Sequence, residues 1–132
     1  HKSGDRLLNH HSHQYSIEPS LMFKLVSLAG CGTLHAGMIG GYLESGDQEV
    51  KNIMSILNSQ NSVPALSCGM HPGLVKHIQE VVGHANWMAN VGGAITSHPL
   101  GTTAGARAMK QAITQDYGKE FGVAATKWGI KL

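Results

Sequence analysis

Three short segments of the chain pair glycine with groups that can hold an anion or move a proton: His35-Ala36-Gly37, Ser67-Cys68-Gly69 and Gly92-Gly93-Ala94. Glycine lets a phosphate oxygen approach main-chain N–H groups, and a helix that starts just afterwards adds its partial positive charge. His35 and Ser67 add side-chain donors. Together these are the parts of a phosphate cradle. A plain strand-to-helix turn also favours glycine, so Gly92-Gly93 alone does not separate the two readings. Three such ends in succession keep both open.

The chain has nine His among 132 residues. His35, at a strand terminus followed by Ala-Gly, is the best candidate for chemistry near neutral pH. His10, His11 and His13 are close together but lack a Cys or carboxylate partner at ligand spacing, so they read as a polar loop rather than a zinc site. His71 and His98 each precede Pro and read as helix starts, and His77 and His84 read as surface positions. Cys31 and Cys68 have no framework of paired spacings and read as free thiols in a reducing compartment, the cytoplasm by default.

The elements that must position these residues alternate. "SIEPSLMFKLVSLAG" (16–30) predicts a helix capped by Ser16, with Leu21, Met22, Leu25, Val26 and Leu28 at helical spacing and Gly30 as its stop. "CGTLHAG" predicts a strand ending in His35-Ala36-Gly37, and "MIGGYLESGD" a glycine-rich loop. "QEVKNIMSILNSQ" predicts a helix with Val50, Ile53, Met54 and Leu57 on one face. "VPALSCG" and "NWMANVGG" predict two further strands. They are separated by a helix entered at Pro72 and followed by another over 102–118. The tail suggests one more short helix ending near Gly129. Such alternation implies a parallel α/β sheet with helical crossovers, and strands of continuous apolar character imply burial on both faces. Three strands cannot close an eight-stranded barrel. The sequence therefore encodes either a small open sheet or one segment, residues 1–132, of something larger.

The totals narrow the function. Ten Lys and Arg against eight Asp and Glu give a formal charge of +2, too mild and too scattered for a nucleic-acid footprint. No apolar run is long enough to cross a bilayer, and the opening "HKSGDRLLNHHSHQ" has no apolar signal-peptide core.

The motifs in order are "LHAG" leading into "GGYLESGD", then "PALSCGMHPG", then "NVGGAITSHPLGTTAGARA". Together they resemble the C-terminal half of the large subunit of ribulose-bisphosphate carboxylase/oxygenase (RuBisCO) and its relatives, most securely from Ile17 to Ile113. The resemblance implies a fold: roughly strands six to eight, with their helices, of a (β/α)8 TIM barrel. It also implies two phosphate sites at the strand 6, 7 and 8 ends. One would be made by the N–H groups of Gly69, Gly92 and Gly93. The other would be made by His35, Ser67 and Lys2, which stands where the family has Arg. His1 would match the strand-five histidine that handles protons near the substrate carbons. The implied substrate is a ketose phosphate, enolised with the help of Mg2+. The magnesium ligands and the enolising lysine would lie on strands outside this segment, which itself would hold no metal. The implied partners are the rest of the barrel, an N-terminal domain and a second copy in a homodimer.

The departures from the family are informative. Tyr42 replaces the loop lysine of true carboxylases, and a neutral phenol cannot offset a developing carboxylate as an ammonium does. Cys68 and Ala94 replace glycines, and Lys2 offers a point charge in place of an arginine fork. The pattern is most similar to the RuBisCO-like branch, which enolises without carboxylating and includes enolases, isomerases and decarboxylases. On this reading His1 is an internal position, and the isolated segment is expected to be inactive and poorly behaved. Two alternatives stay open: a genuine carboxylase large chain, and a non-catalytic phosphoryl-binding or relic module. The second is favoured by the scarcity of loop acids, of which Glu44 and Asp47 are the only two.

Overall fold

The computed structural model describes residues 12–40, 46–83 and 86–131. Its centre is a three-stranded parallel sheet in the order β1 (Thr33–Gly37), β2 (Val63–Leu66), β3 (Met88–Ala89). The helices are α1 (Pro19–Leu28), α2 (Asp47–Ser59), α3 (Val75–Val82), a short α4 (Gly93–Thr96), α5 (Thr102–Thr114) and α6 (Lys119–Trp128). A 3-10 turn over Pro72–Leu74 leads into α3. The predicted α/β alternation and parallel pairing are therefore present. No helix among the described residues is long and apolar enough to cross a membrane.

The register pairs Thr33 with Val63, His35 with Ala65, and Ala65 with Met88. Pro64 sits in the central strand, where a missing N–H would ordinarily cost a ladder bond. The N–H groups of Val63 and Ser67 point to β1, bonding Gly32 and Gly37 carbonyls, so that of residue 64 would point to the β3 side. There the ladder begins only at Ala65, and the proline costs nothing.

Beneath the sheet, α2 buries Val50, Ile53, Met54 and Leu57, the face its periodicity predicts. They join Leu34, Ala36, Leu66, Leu74, Val75, Ile78, Met109 and Phe121 in one core. Asp47 and Glu49 in the first turn of α2 complement its dipole, and Asp47 Oδ1 accepts the Gly40 N–H at 2.9 Å. At the other end of the chain, Gln111 of α5 holds the start of α6. Its Oε1 accepts the Phe121 N–H and its Nε2 donates to Glu120, both at 2.8 Å.

Three expectations need correction. Strand β3 is two residues long and ends at Ala89, not at Gly93. Gly93 already belongs to α4. As an edge strand it is only partly covered, with Met88 42% exposed, so burial on both faces describes β2 alone. Helix α1 starts from Glu18 with Pro19 at its first position, and Ser16 does not cap it. Its inward residues are Phe23 and Ser27, whereas Leu21, Leu25 and Leu28 are 50%, 56% and 61% exposed. The apolar stripe read from the sequence is real, but α1 meets α2 through its other face.

Candidate functional site at the carboxyl ends of the strands

Each strand delivers polar groups at its carboxyl end, where parallel α/β sheets place their ligands. His35 is not at the terminus of β1 but third of its five residues, just before the register irregularity; it is half-buried, and its Nδ1 lies 2.8 Å from Ser67 Oγ, just past the end of β2. The Asn90 amide donates to His35 Nε2 at 3.3 Å from the end of β3. With Nε2 accepting, the ring proton sits on Nδ1 and goes to Ser67. The serine hydrogen is then left for Cys68 Sγ, 3.7 Å away, or for a ligand.

The chain then turns sharply. Cys68 (φ 75°) and Gly69 (φ 101°) are both left-handed. For glycine this is free, but for Cys68 it costs about 1–2 kcal/mol. The turn opens into a cleft of about 660 Å3, whose wall includes Gly40, Cys68, Gly69, His71, Asn90, Gly92, Gly93 and Trp128. A Cβ built on Gly92 or Gly93 would meet nothing within 4 Å, so the space over both is open. The N–H groups of Gly69, Gly92 and Gly93 donate to no backbone carbonyl among the described residues, whereas the Gly92 and Gly93 carbonyls accept from α4. All three glycines line the cleft, beside the short helical turn of α4.

The candidate residues fall into two neighbouring groups. His35 and Ser67 meet directly; Gly69, Gly92 and Gly93 line the cleft; Asn90 and Cys68 stand on its wall and connect the two. Asn90 was not singled out from the sequence, although its place at a strand end beside Gly92-Gly93 is the signal that marks it. His1, Lys2, His10, His11, Tyr42, Glu44 and His84 lie outside the described residues.

The other histidines resolve differently from their sequence reading. His98 is 4% exposed. Its Nδ1 accepts the Leu100 N–H at 3.1 Å and its Nε2–H donates to the Glu120 carbonyl at 3.0 Å, a structural tie between α4 and α6. His77 is not a surface position: it is half-buried, with Nε2 buried and unpaired. His71 does begin the 3-10 turn, but its ring also forms part of the cleft wall. It stacks on Trp128, with centroids 6.2 Å apart and planes at 23°, and burial pushes its pKa below the ordinary 6.5. Among the described residues no three His, Cys, Asp or Glu side chains come together to hold a metal ion.

Comparison with known proteins places this geometry. The family model for the ribulose bisphosphate carboxylase large chain, catalytic domain, matches residues 54–124. A curated ribulose bisphosphate carboxylase from Methanocaldococcus jannaschii is 32% identical over 121 residues, covering 77% of this chain and 28% of its own length. The solved structure of an archaeal RuBisCO superposes with a TM-score of 0.82 at 26% identity, over 100% of this chain and 37% of that one. A RuBisCO-like protein from Alicyclobacillus acidocaldarius shares the fold, with a TM-score of 0.79 at 24% identity over 98% and 36% of the two chains. The chain thus spans less than a third of the length of that curated relative.

Proposed function

The chain belongs to the ribulose bisphosphate carboxylase large-chain catalytic-domain family, and on that premise we propose that it forms the phosphate-holding part of an enzyme that enolises a ketose phosphate. Its three βα units are read as strands six to eight of an eight-stranded barrel, the remainder being supplied by the rest of the protein. The observation that carries this reading is the pair of polar groups at the strand ends. His35 and Ser67, 2.8 Å apart, form one; the open main chain at Gly92 and Gly93, with Gly69 on the same cleft wall, forms the other.

Two phosphate sites side by side suit a substrate with a phosphate at each end. Gly69, Gly92 and Gly93 would donate N–H bonds to one phosphate. The Ser67 hydroxyl and the His35 ring, with Lys2, would hold the other. Anchoring both ends fixes the carbon chain between them, so that proton removal next to the carbonyl becomes a reaction of a positioned group. His1 is the residue proposed to handle that proton. Magnesium, with ligands outside this chain, is the expected cofactor. A homodimer in the cytoplasm is the proposed working form, and the free thiols of Cys31 and Cys68 support a reducing compartment.

Tyr42 argues for enolisation without carboxylation, of enolase, isomerase or decarboxylase type. The second reading, a genuine carboxylase, is favoured by the name of the curated relative. Solvent deuterium exchange into ribulose bisphosphate and related ketose phosphates, followed by NMR with the full-length protein, tests both together with labelled CO2 uptake. Exchange without uptake is the expected result. Uptake would overturn the reading of Tyr42, and binding with neither would leave the phosphoryl-binding module.

A further inference from the structure

His71 carries a feature that its place in a turn does not explain. Its Nδ1 is buried and has no hydrogen-bond partner, yet the residue is only half-buried and lies on the cleft wall two positions beyond Gly69. An orphaned buried N–H is the rarer and more costly arrangement in proteins than an orphaned acceptor. The ring proton therefore belongs on Nε2, at the accessible edge. The same burial disfavours the imidazolium, which would place a hydrogen on Nδ1 as well, and the lowered pKa agrees. His71 is thus held as a neutral ring with one outward donor.

The ring is also fixed in place. Trp128 stacks on it at 6.2 Å. Trp128 is itself flanked by His98 at 6.2 Å and by Lys127 Nζ, 4.7 Å over its ring. Lys127 Nζ also bonds the Ser97 carbonyl. Beyond the helix, Lys131 N–H donates to the Gly73 carbonyl at 3.0 Å, tying the end of the chain to the 3-10 turn that follows His71. Packing against Trp128 narrows the rotamers open to the ring, which lowers the entropic cost of binding a ligand.

We propose that His71 is a ligand-binding residue of the cleft, its Nε2–H donating to the phosphate group held by the N–H groups of Gly69, Gly92 and Gly93, with Trp128 as its positioning residue. This rests on the phosphate reading of the cleft. A neutral donor beside main-chain N–H groups adds a directed hydrogen bond to the phosphate without adding a charge, so affinity gains less salt dependence than a lysine would bring.

The test is inorganic phosphate binding to the full-length protein, measured by calorimetry, for the wild type and three variants. His71→Phe keeps an aromatic ring on Trp128 and removes both nitrogens. It is expected to weaken phosphate binding about tenfold, with an unchanged melting temperature and an unchanged salt slope. Gly93→Val fills the open main-chain cradle and is expected to weaken binding at least as much. Wild-type affinity in His71→Phe, with loss in Gly93→Val, overturns the role of His71 alone. Wild-type affinity in both overturns the phosphate reading of the cleft as well. His71→Asn, which restores a side-chain N–H donor, is expected to recover part of the loss, and failure to do so while His71→Phe binds weakly would assign the effect to packing and overturn the hydrogen bond.

Discussion

The strand ends beside the cleft and the wall of the cleft itself hold their histidines by opposite means. On the β1 side, His35 is tied by hydrogen bonds to Ser67 and Asn90, groups delivered by the next two strands. On the far side, His71 has a buried nitrogen without a partner and is held by the face of Trp128, from the last helix. The first arrangement is a property of the sheet: pair the strands in register and the three polar groups must meet. The second is a property of how α6 folds back over the 3-10 turn. A polar network and an aromatic stack can both fix a ring, but they fail under different changes.

The largest expected effect separates the two sides by packing. A Cβ on Gly73 would lie 1.9 Å from the Gly129 carbonyl oxygen, which is backbone and cannot step aside. Gly73→Ala is expected to lower stability by about 3 kcal/mol, read by chemical denaturation. It should quench or shift Trp128 fluorescence while leaving the His35 ring resonances in place. Movement of both sets would show that the sides are one unit.

Next comes the junction between them. Cys68 takes a left-handed conformation at φ 75° that glycine adopts freely. Cys68→Gly is expected to stabilise the fold by about 1 kcal/mol after the added chain entropy of glycine is set against the relieved strain. A loss of stability would mean that the thiol's contact with Ser67 matters more than the backbone.

On the β1 side, Ser67→Ala removes the hydroxyl that lies 2.8 Å from His35 Nδ1. It is expected to cost about 1 kcal/mol, and to weaken phosphate binding without altering Trp128 fluorescence. A change in that fluorescence would couple the two sides.

The smallest effect is a pH dependence confined to the α6 side. The Glu120 carboxylate is held below its ordinary 4.5, first by the Gln111 amide, then by backbone N–H at the start of α6, with Arg107 3.8 Å away adding to it. A depressed folded-state pKa means that the stabilisation is complete above the unfolded value. It is lost as pH falls from about 4.5 through the folded value. Glu120→Gln is expected to flatten that part of the stability profile, and an unchanged slope in the variant would remove Glu120 as its source.

The same contrast explains what was legible in the sequence. The helices, the parallel sheet and the meeting of His35 with Ser67 follow from alternating patterns and from the rule that polar residues gather at strand ends. "NWMANVGG" read as a full strand because its apolar character is continuous. An edge position needs only Met88 and Ala89 to pair, and Gly92 turns the chain into α4. The stripe Leu21, Leu25 and Leu28 was visible as a period, but which face of α1 meets α2 depends on where the helix docks. His71 and Trp128 lie far apart in the chain. No local pattern announces a contact made by the return of the final helix.

The order of the strands also bears on how the chain reaches this structure. Each strand pairs with the one before it in sequence, Thr33 with Val63 and then Ala65 with Met88. The sheet therefore grows at one edge, each addition closing a single loop of moderate length whose entropic cost rises only slowly with the residues it encloses. Assembly of this kind can proceed in step with synthesis, every new unit docking on an edge already formed. The braced cleft wall, which needs α6, is then set only after the three strands have paired.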